Sequence, residues 1–392
     1  MVASADFKSE LQRLDEELAE VRDRAMAAPP DGEVVIRFAH RLYQRGSLTG
    51  DLQELERAER VLDGAIDQGI AGPDVWFLKA SLAFNLHRIS DARMALAADS
   101  NLAGSVQARA LMADLDFEEG KYKEAQLGYE HVVEQDRSWD NLARLAHAEA
   151  KLGDDAAAEK LFVEAEEELT AKQMRAFAWV ELQRGLLHLS RGRHEYARVH
   201  YERADRAYPG YWLVCEHIAE LTGAEGGYAD AATMYEEIVE TVPRPEFQQA
   251  LGELLLLMGE SEKAEWFFVK AVTAYLESAR RGCVHYYHHL ADFFADVRED
   301  GEEAVKWARR DLGLRENFST QAALAWALYR DGRFEEAWAS ISKSIASGVK
   351  DARIFSRAAS ILLALDKRDE GDKYLEMAVA LNPRFQSFHV HR

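Results

Sequence analysis

Small and apolar positions cluster at helical spacing around a recurring glycine. Gly120-Lys121-Tyr122 is followed by Ala125 and Tyr129, Gly226-Gly227-Tyr228 by Ala231 and Tyr235, and Gly332-Arg333-Phe334 by Ala337 and Ile341. Steps of three and four residues place these side chains on one helix face, so each cluster predicts a helix opening just after the glycine. Turn positions recur at Gly120, Gly153, Gly192, Gly226, Gly259, Glu299, Gly332 and Asp366, at intervals of 33, 39, 34, 33, 40, 33 and 34 residues. A period near 34 predicts stacked helix-turn-helix units that bury one continuous core between neighbours. The two long intervals hold extra residues around Glu166–Met174 and Thr273–Gly282, rich in helix formers, which predicts lengthened second helices.

Within a unit each conserved-type position has its own physical task. In the fifth, Gly185 and Ala197 are small, which lets the paired helices cross closely. Gly192 ends the first helix with positive φ, Tyr201 fills the gap toward the next unit, and Pro209 stops the second helix. Ala146 with Ala158, Gly252 with Ala264, and Ala359 with Gly371 repeat the small pair. These units resemble tetratricopeptide repeats. Trp76, Gly185, Gly252, Tyr129, Tyr201, Tyr235, Ala204, Ala378, Pro209, Pro243 and Pro383 stand at family positions, across about residues 33–384 in roughly ten units. The resemblance implies an all-α, right-handed superhelical solenoid, and a protein that binds other proteins and is not an enzyme.

The organisation that follows is an N-terminal segment (1–30), one solenoid (31–384) with a possible hinge near 273–300, and a short tail (385–392). Phe7, Leu11, Leu14, Leu18, Val21 and Ala25 follow heptad spacing before Ala28-Pro29-Pro30 ends the segment. Two readings stay open: a helix that caps the first repeat, or a homodimer contact through residues 7–25.

Composition narrows the partners. With 48 Lys and Arg against 69 Asp and Glu, the net charge is −21, which repels phosphate backbones and argues against nucleic acid. The longest obvious apolar run, Leu254–Met258, is far too short to span a bilayer, and the acidic first 20 residues lack the basic and apolar parts of a secretory signal. A cytoplasmic protein is expected, with Cys215 and Cys283 as buried, reduced thiols.

In the resembled family the first helix of each unit lines a concave groove. Carried onto this chain, those positions include Trp179, Leu182, Leu186 and Leu213 as an apolar shelf beside Glu216, Glu220, Glu246, Gln249 and Glu253 as an acidic wall, with Trp326 as an aromatic anchor further on. Such a surface suits a peptide or protein with basic and apolar anchors. The family's Lys/Asn/Arg clamp for a carboxylate has only Arg353 and Arg357 as counterparts, so a chaperone-tail receptor is disfavoured.

No nucleophile, phosphate-loop or His-Glu-x-x-His motif occurs. No cofactor is called for, with one exception. His285, His288, His289 and Asp292 stand at three- and four-residue steps and could hold a divalent transition metal, giving the alternative reading of a metal-handling protein. Cys283 and the terminal His389-Val390-His391 could add ligands. His188, His194 and His200 step by six, share no helix face, and earn no role from spacing. A self-associating regulatory subunit, joined through the N-terminal heptads, is the third reading.

Overall fold

The computed structural model describes residues 6–25, 31–242 and 244–390. Ala28-Pro29-Pro30, Pro243 and His391 lie outside the described residues. Helix α1 (Phe7–Ala25) precedes ten antiparallel hairpins. These are α2 (Gly32–Thr49) with α3 (Leu52–Asp67), α4 (Pro73–Asn85) with α5 (Ile89–Ala97), α6 (Val106–Glu118) with α7 (Tyr122–Gln135), α8 (Trp139–Leu152) with α9 (Asp155–Glu167), and α10 (Met174–Ser190) with α11 (His194–Ala207). The second five are α12 (Trp212–Ala224) with α13 (Tyr228–Thr241), α14 (Pro245–Leu257) with α15 (Ser261–Arg280), α16 (Tyr287–Asp292) with α17 (Gly301–Leu312), α18 (Phe318–Arg330) with α19 (Phe334–Ala346), and α20 (Ala352–Ala364) with α21 (Arg368–Leu381). The fold is an all-α solenoid, with no strand among the described residues.

Local sequence explains the hairpins. All eight turn positions expected from the spacing have positive φ, from 51° at Glu299 to 94° at Gly153, and His87 (61°) does the same in the weakly patterned second hairpin. A Cβ on Gly185 would run into the Tyr201 ring and one on Gly252 into Phe268, so both glycines are set by close helix crossing. Tyr201, Tyr235 and Tyr275, one from each of three successive second helices, are fully buried. Of the two extended units, α15 is lengthened to 20 residues as expected. The other is not: α9 stops at 13 residues, and the extra length forms a connection and a longer α10. Thr170 and Gln173 close that connection through a 2.8 Å side-chain bond, the local polar pairing that competes with helix.

Helix α1 lies on its own chain. Leu14 and Val21 of its heptad stripe are buried, Phe7 stacks on Tyr211 (6.2 Å), and the Tyr208 hydroxyl donates to Glu10 (2.6 Å). The superhelix also closes on itself. The Trp212 indole N–H donates to the Leu48 carbonyl (2.8 Å), the Cys283 thiol to Glu56 (2.7 Å), the Phe318 amide to the Tyr122 hydroxyl (2.7 Å) and the Lys350 amide to the Lys151 carbonyl (3.1 Å). Such contacts join residues from 159 to 227 apart in sequence. Successive turns of the solenoid therefore touch, which narrows its concave side to a lumen. Cys215 and Cys283 are free and half-buried, a correction to the expected burial, because both lie near a crevice between turns.

Candidate functional site

First helices of several hairpins converge on the lumen. A cavity of about 380 Å³ is bounded by His147 and Lys151 of α8, Gln183 and Leu186 of α10, His217 of α12, Arg353 of α20, and Phe388 and His389 of the tail. The tail turns inward after α21. The Arg384 amide donates to the Asn382 side chain (2.7 Å) and the Ser387 amide to the Arg384 carbonyl (2.9 Å), which bends the backbone toward α12.

There the tail meets Glu220, one of a buried pair with Glu216. Phe388, only 6% exposed, lies against Gly223, where a Cβ would stand 2.6 Å from its ring. The Val390 amide donates to Glu220 Oε1 (2.8 Å), which also receives His389 Nδ1. His217 Nδ1 sits between Glu216 (3.0 Å) and Glu220 (3.1 Å), and the Tyr235 hydroxyl donates to Glu216 (2.8 Å). Burial and the neighbouring Glu216 and Glu220 carboxylates push the Tyr235 hydroxyl far above its usual pKa, so it remains a donor.

The acidic wall read from the sequence is thus not an open surface. Glu216 and Glu220 are fully buried and Glu246 is 4% exposed: the tail covers Glu220, Tyr235 of the paired helix meets Glu216, and Arg244 meets Glu246. Burial would raise the Glu246 carboxyl, but Arg244, bonded at 2.6 Å, outweighs it and holds the pKa below the usual range. Gln249 bridges Glu253 (3.0 Å) and the Tyr275 hydroxyl (3.1 Å). Leu182 is core, fully buried, another correction: it faces the neighbouring hairpin and not the lumen. Trp179 stands half-buried and edge-on to Trp139 (6.0 Å), Leu213 packs against the core, and Leu186 lines the cavity. Trp326 is held by a bond to Asp296 (2.8 Å), a stack on Tyr329 and Arg357 over its ring (5.3 Å).

The histidine helix is engaged piecemeal. Asp292 pairs with Arg357 (3.7 Å) and His289 stacks on Tyr275 (5.5 Å). His285 and His288 turn instead toward His87, an α4–α5 turn residue one superhelical turn away, at 4.3 and 5.8 Å between rings. Burial keeps all three neutral: His87 is lowered to about 3, with Arg315 adding to the effect, and the other two lie well below the usual histidine value. Sequence spacing could not have supplied His87. Its one signal, a non-glycine residue at a turn position, is visible only in the backbone. Among the described residues, three metal-type donors within 4.8 Å of one another occur elsewhere, at Glu216, His217 and Glu220 and at Glu159, His188 and His200. No helix among the described residues is long and apolar enough to cross a membrane.

No protein-family model matches the chain, and no curated protein matches its sequence. Solved structures similar to it include the Cut9–Hcn1 hetero-tetramer of APC/C, at 15% identity over 95% of this chain and 79% of that one, TM-score 0.43. Yeast Tom70 is another, at 13% identity over 94% of this chain and 89% of that one, TM-score 0.41. The architecture rests on the helix pairing itself and not on these scores.

Proposed function

We propose that this protein is a non-catalytic scaffold whose lumen holds an extended peptide segment of a partner protein. One observation carries the reading: the lumen already accommodates such a segment, Phe388–Val390, with an aromatic ring against Gly223 and a backbone amide on Glu220. A partner of matching chemistry offers an aromatic anchor followed by a basic side chain and an unpaired backbone amide. The acidic seat and the net charge of −21 favour such a segment over an acidic one. Rigid stacked helices order the site beforehand, so little chain entropy is lost on binding.

The tail competes with the partner, so apparent affinity scales with the fraction of molecules whose tail is out. A labelled peptide of residues 384–390 is titrated into the full chain and into its Phe388→Ala variant, with anisotropy as readout. The variant, with its own anchor removed, should bind the peptide roughly tenfold or more tightly than wild type. Equal, unsaturable binding to both would refute the lumen as the peptide site.

A further inference from the structure

The hairpin of α10 and α11 brings together residues that spacing along the chain keeps apart. His188 at the end of α10 and His200 within α11 stack with ring planes 9° apart and centroids 5.3 Å apart. Glu159 of α9 reaches the same place, and one donor atom from each of the three lies within 4.8 Å of the others. Six-residue steps share no helix face, but a helical hairpin folds them onto one another.

The surroundings are arranged as around a metal ligand set. His200 Nδ1 stands 3.0 Å from Glu181 Oε2, and Glu181 is fully buried. Arg184 also donates to Glu181 (2.9 Å), so the carboxylate is the acceptor for the Nδ1 proton of His200. The His200 lone pair is thereby left on Nε2, the tautomer that a carboxylate behind a metal-binding histidine enforces. Arg184 Nε holds Glu159 by Oε1 (3.1 Å), while Glu159 Oε2 has no hydrogen-bond partner. His188 Nδ1 is likewise buried and unpartnered. Each such unpaired atom costs on the order of 1–3 kcal/mol, and one bound cation would satisfy both.

The other group with three donors within 4.8 Å differs on this point, and His87, His285 and His288, whose Nδ1 atoms are also unpartnered, do not bring three donors that close. At Glu216, His217 and Glu220 the oxygens are already met by Tyr235, Val390 and His389. Local charge also permits a cation: Glu159, Glu166 and Glu181 face Arg184 and Arg203, three negative charges against two positive.

We propose that Glu159, His188 and His200 form a binding site for one divalent first-row transition ion, zinc foremost, that ties the fourth repeat to the fifth. Two imidazoles and a carboxylate suit zinc, cobalt or iron(II), and leave a further position for water. Ligands of a tetrahedral ion with bonds near 2.1 Å sit roughly 3.4 Å apart, so the group closes slightly on binding. His188 is the donor that turns, out of its stack with the exposed Tyr196 ring. Glu159, whose side chain is 33% exposed, gives the ion its entry.

The test uses the full chain, prepared without a histidine tag and stripped of metal, titrated with zinc by calorimetry. Wild type should bind one equivalent. His188→Gln and Glu159→Gln should each weaken binding by at least about 100-fold, more than loss of an outer-sphere partner, while His285→Gln leaves it unchanged. A second measurement needs no variant: cobalt(II) should broaden the imidazole NMR signals of His188 and His200 and spare those of His87 and His285. No saturable zinc binding, wild-type affinity in either the His188 or the Glu159 variant, or cobalt broadening at other histidines would overturn the assignment.

Discussion

Substituting alanine at two equivalent turn glycines separates a local cost from a tertiary one. Gly120 and Gly332 have nearly the same backbone, φ 77° and 75°. A non-glycine residue in that region costs about 1–2 kcal/mol, and the loss of unfolded-chain freedom is common to both substitutions. Their surroundings differ. A Cβ on Gly332 meets nothing within 4 Å, whereas one on Gly120 overlaps the Glu316 carbonyl oxygen of the adjacent superhelical turn. That oxygen belongs to the connection that docks on α6 and α7 through Arg315 to Glu118 (3.1 Å), Asn317 to the Glu118 carbonyl (3.1 Å) and the Phe318 amide to Tyr122. Backbone cannot swing aside, so Gly120→Ala adds an overpacking term of about 1–3 kcal/mol. Urea unfolding of the two variants should therefore differ by roughly 0.3–1 M in midpoint, since a chain this long has a slope of about 3 kcal/mol per M or more. Solution scattering should show Gly120→Ala expanded and Gly332→Ala unchanged. Equal midpoints and equal dimensions would mean that the turns do not touch in solution, and the lumen would fall with them.

Other outcomes follow from single buried groups. Tyr201→Phe should leave stability unchanged or raise it by about 1 kcal/mol, because the buried Tyr201 hydroxyl has no partner. Tyr235→Phe should cost about 1.5–3 kcal/mol, since it strips a donor from the buried Glu216 carboxylate; thermal or urea unfolding ranks the pair, and the reverse order would contradict the lumen hydrogen bonds. His87, His285 and His288 have native pKa values below that of an unfolded histidine, so the unfolded chain binds more protons below pH 6.5. Their stabilisation is complete above that pH and is lost as the pH falls toward about 3, the value for His87. Each group contributes a slope of up to about 1.4 kcal/mol per pH unit. His87→Asn keeps a residue that tolerates the φ of 61° and should flatten the slope between pH 6 and pH 4; an unchanged slope would refute the burial of that ring.

The repeats were legible in the sequence because they are local. The spacing of Gly, Ala and aromatic residues named the turns, and the backbone has positive φ at each of those eight positions. The small pairs Gly185 with Ala197 and Gly252 with Ala264 were legible for the same reason, since a tight crossing excludes a larger side chain. The candidate site was legible only as a set of positions. Glu216 and Glu220 are buried, and nothing in their spacing says that Val390, 170 residues away, donates to one of them. Changing the four groove glutamates to lysine would break buried hydrogen bonds and so test folding before binding.

Sequence by itself determined that this chain folds as paired helices and where eight of the ten hairpins turn. Those outcomes depend on residues three, four and about 34 positions apart. Tertiary structure alone decided that the solenoid closes on itself and that the tail enters the lumen. The physical reason is accumulation: each repeat contacts mainly its neighbours, and small rotations summed over five or six repeats fix which distant residues touch. No local pattern records that sum.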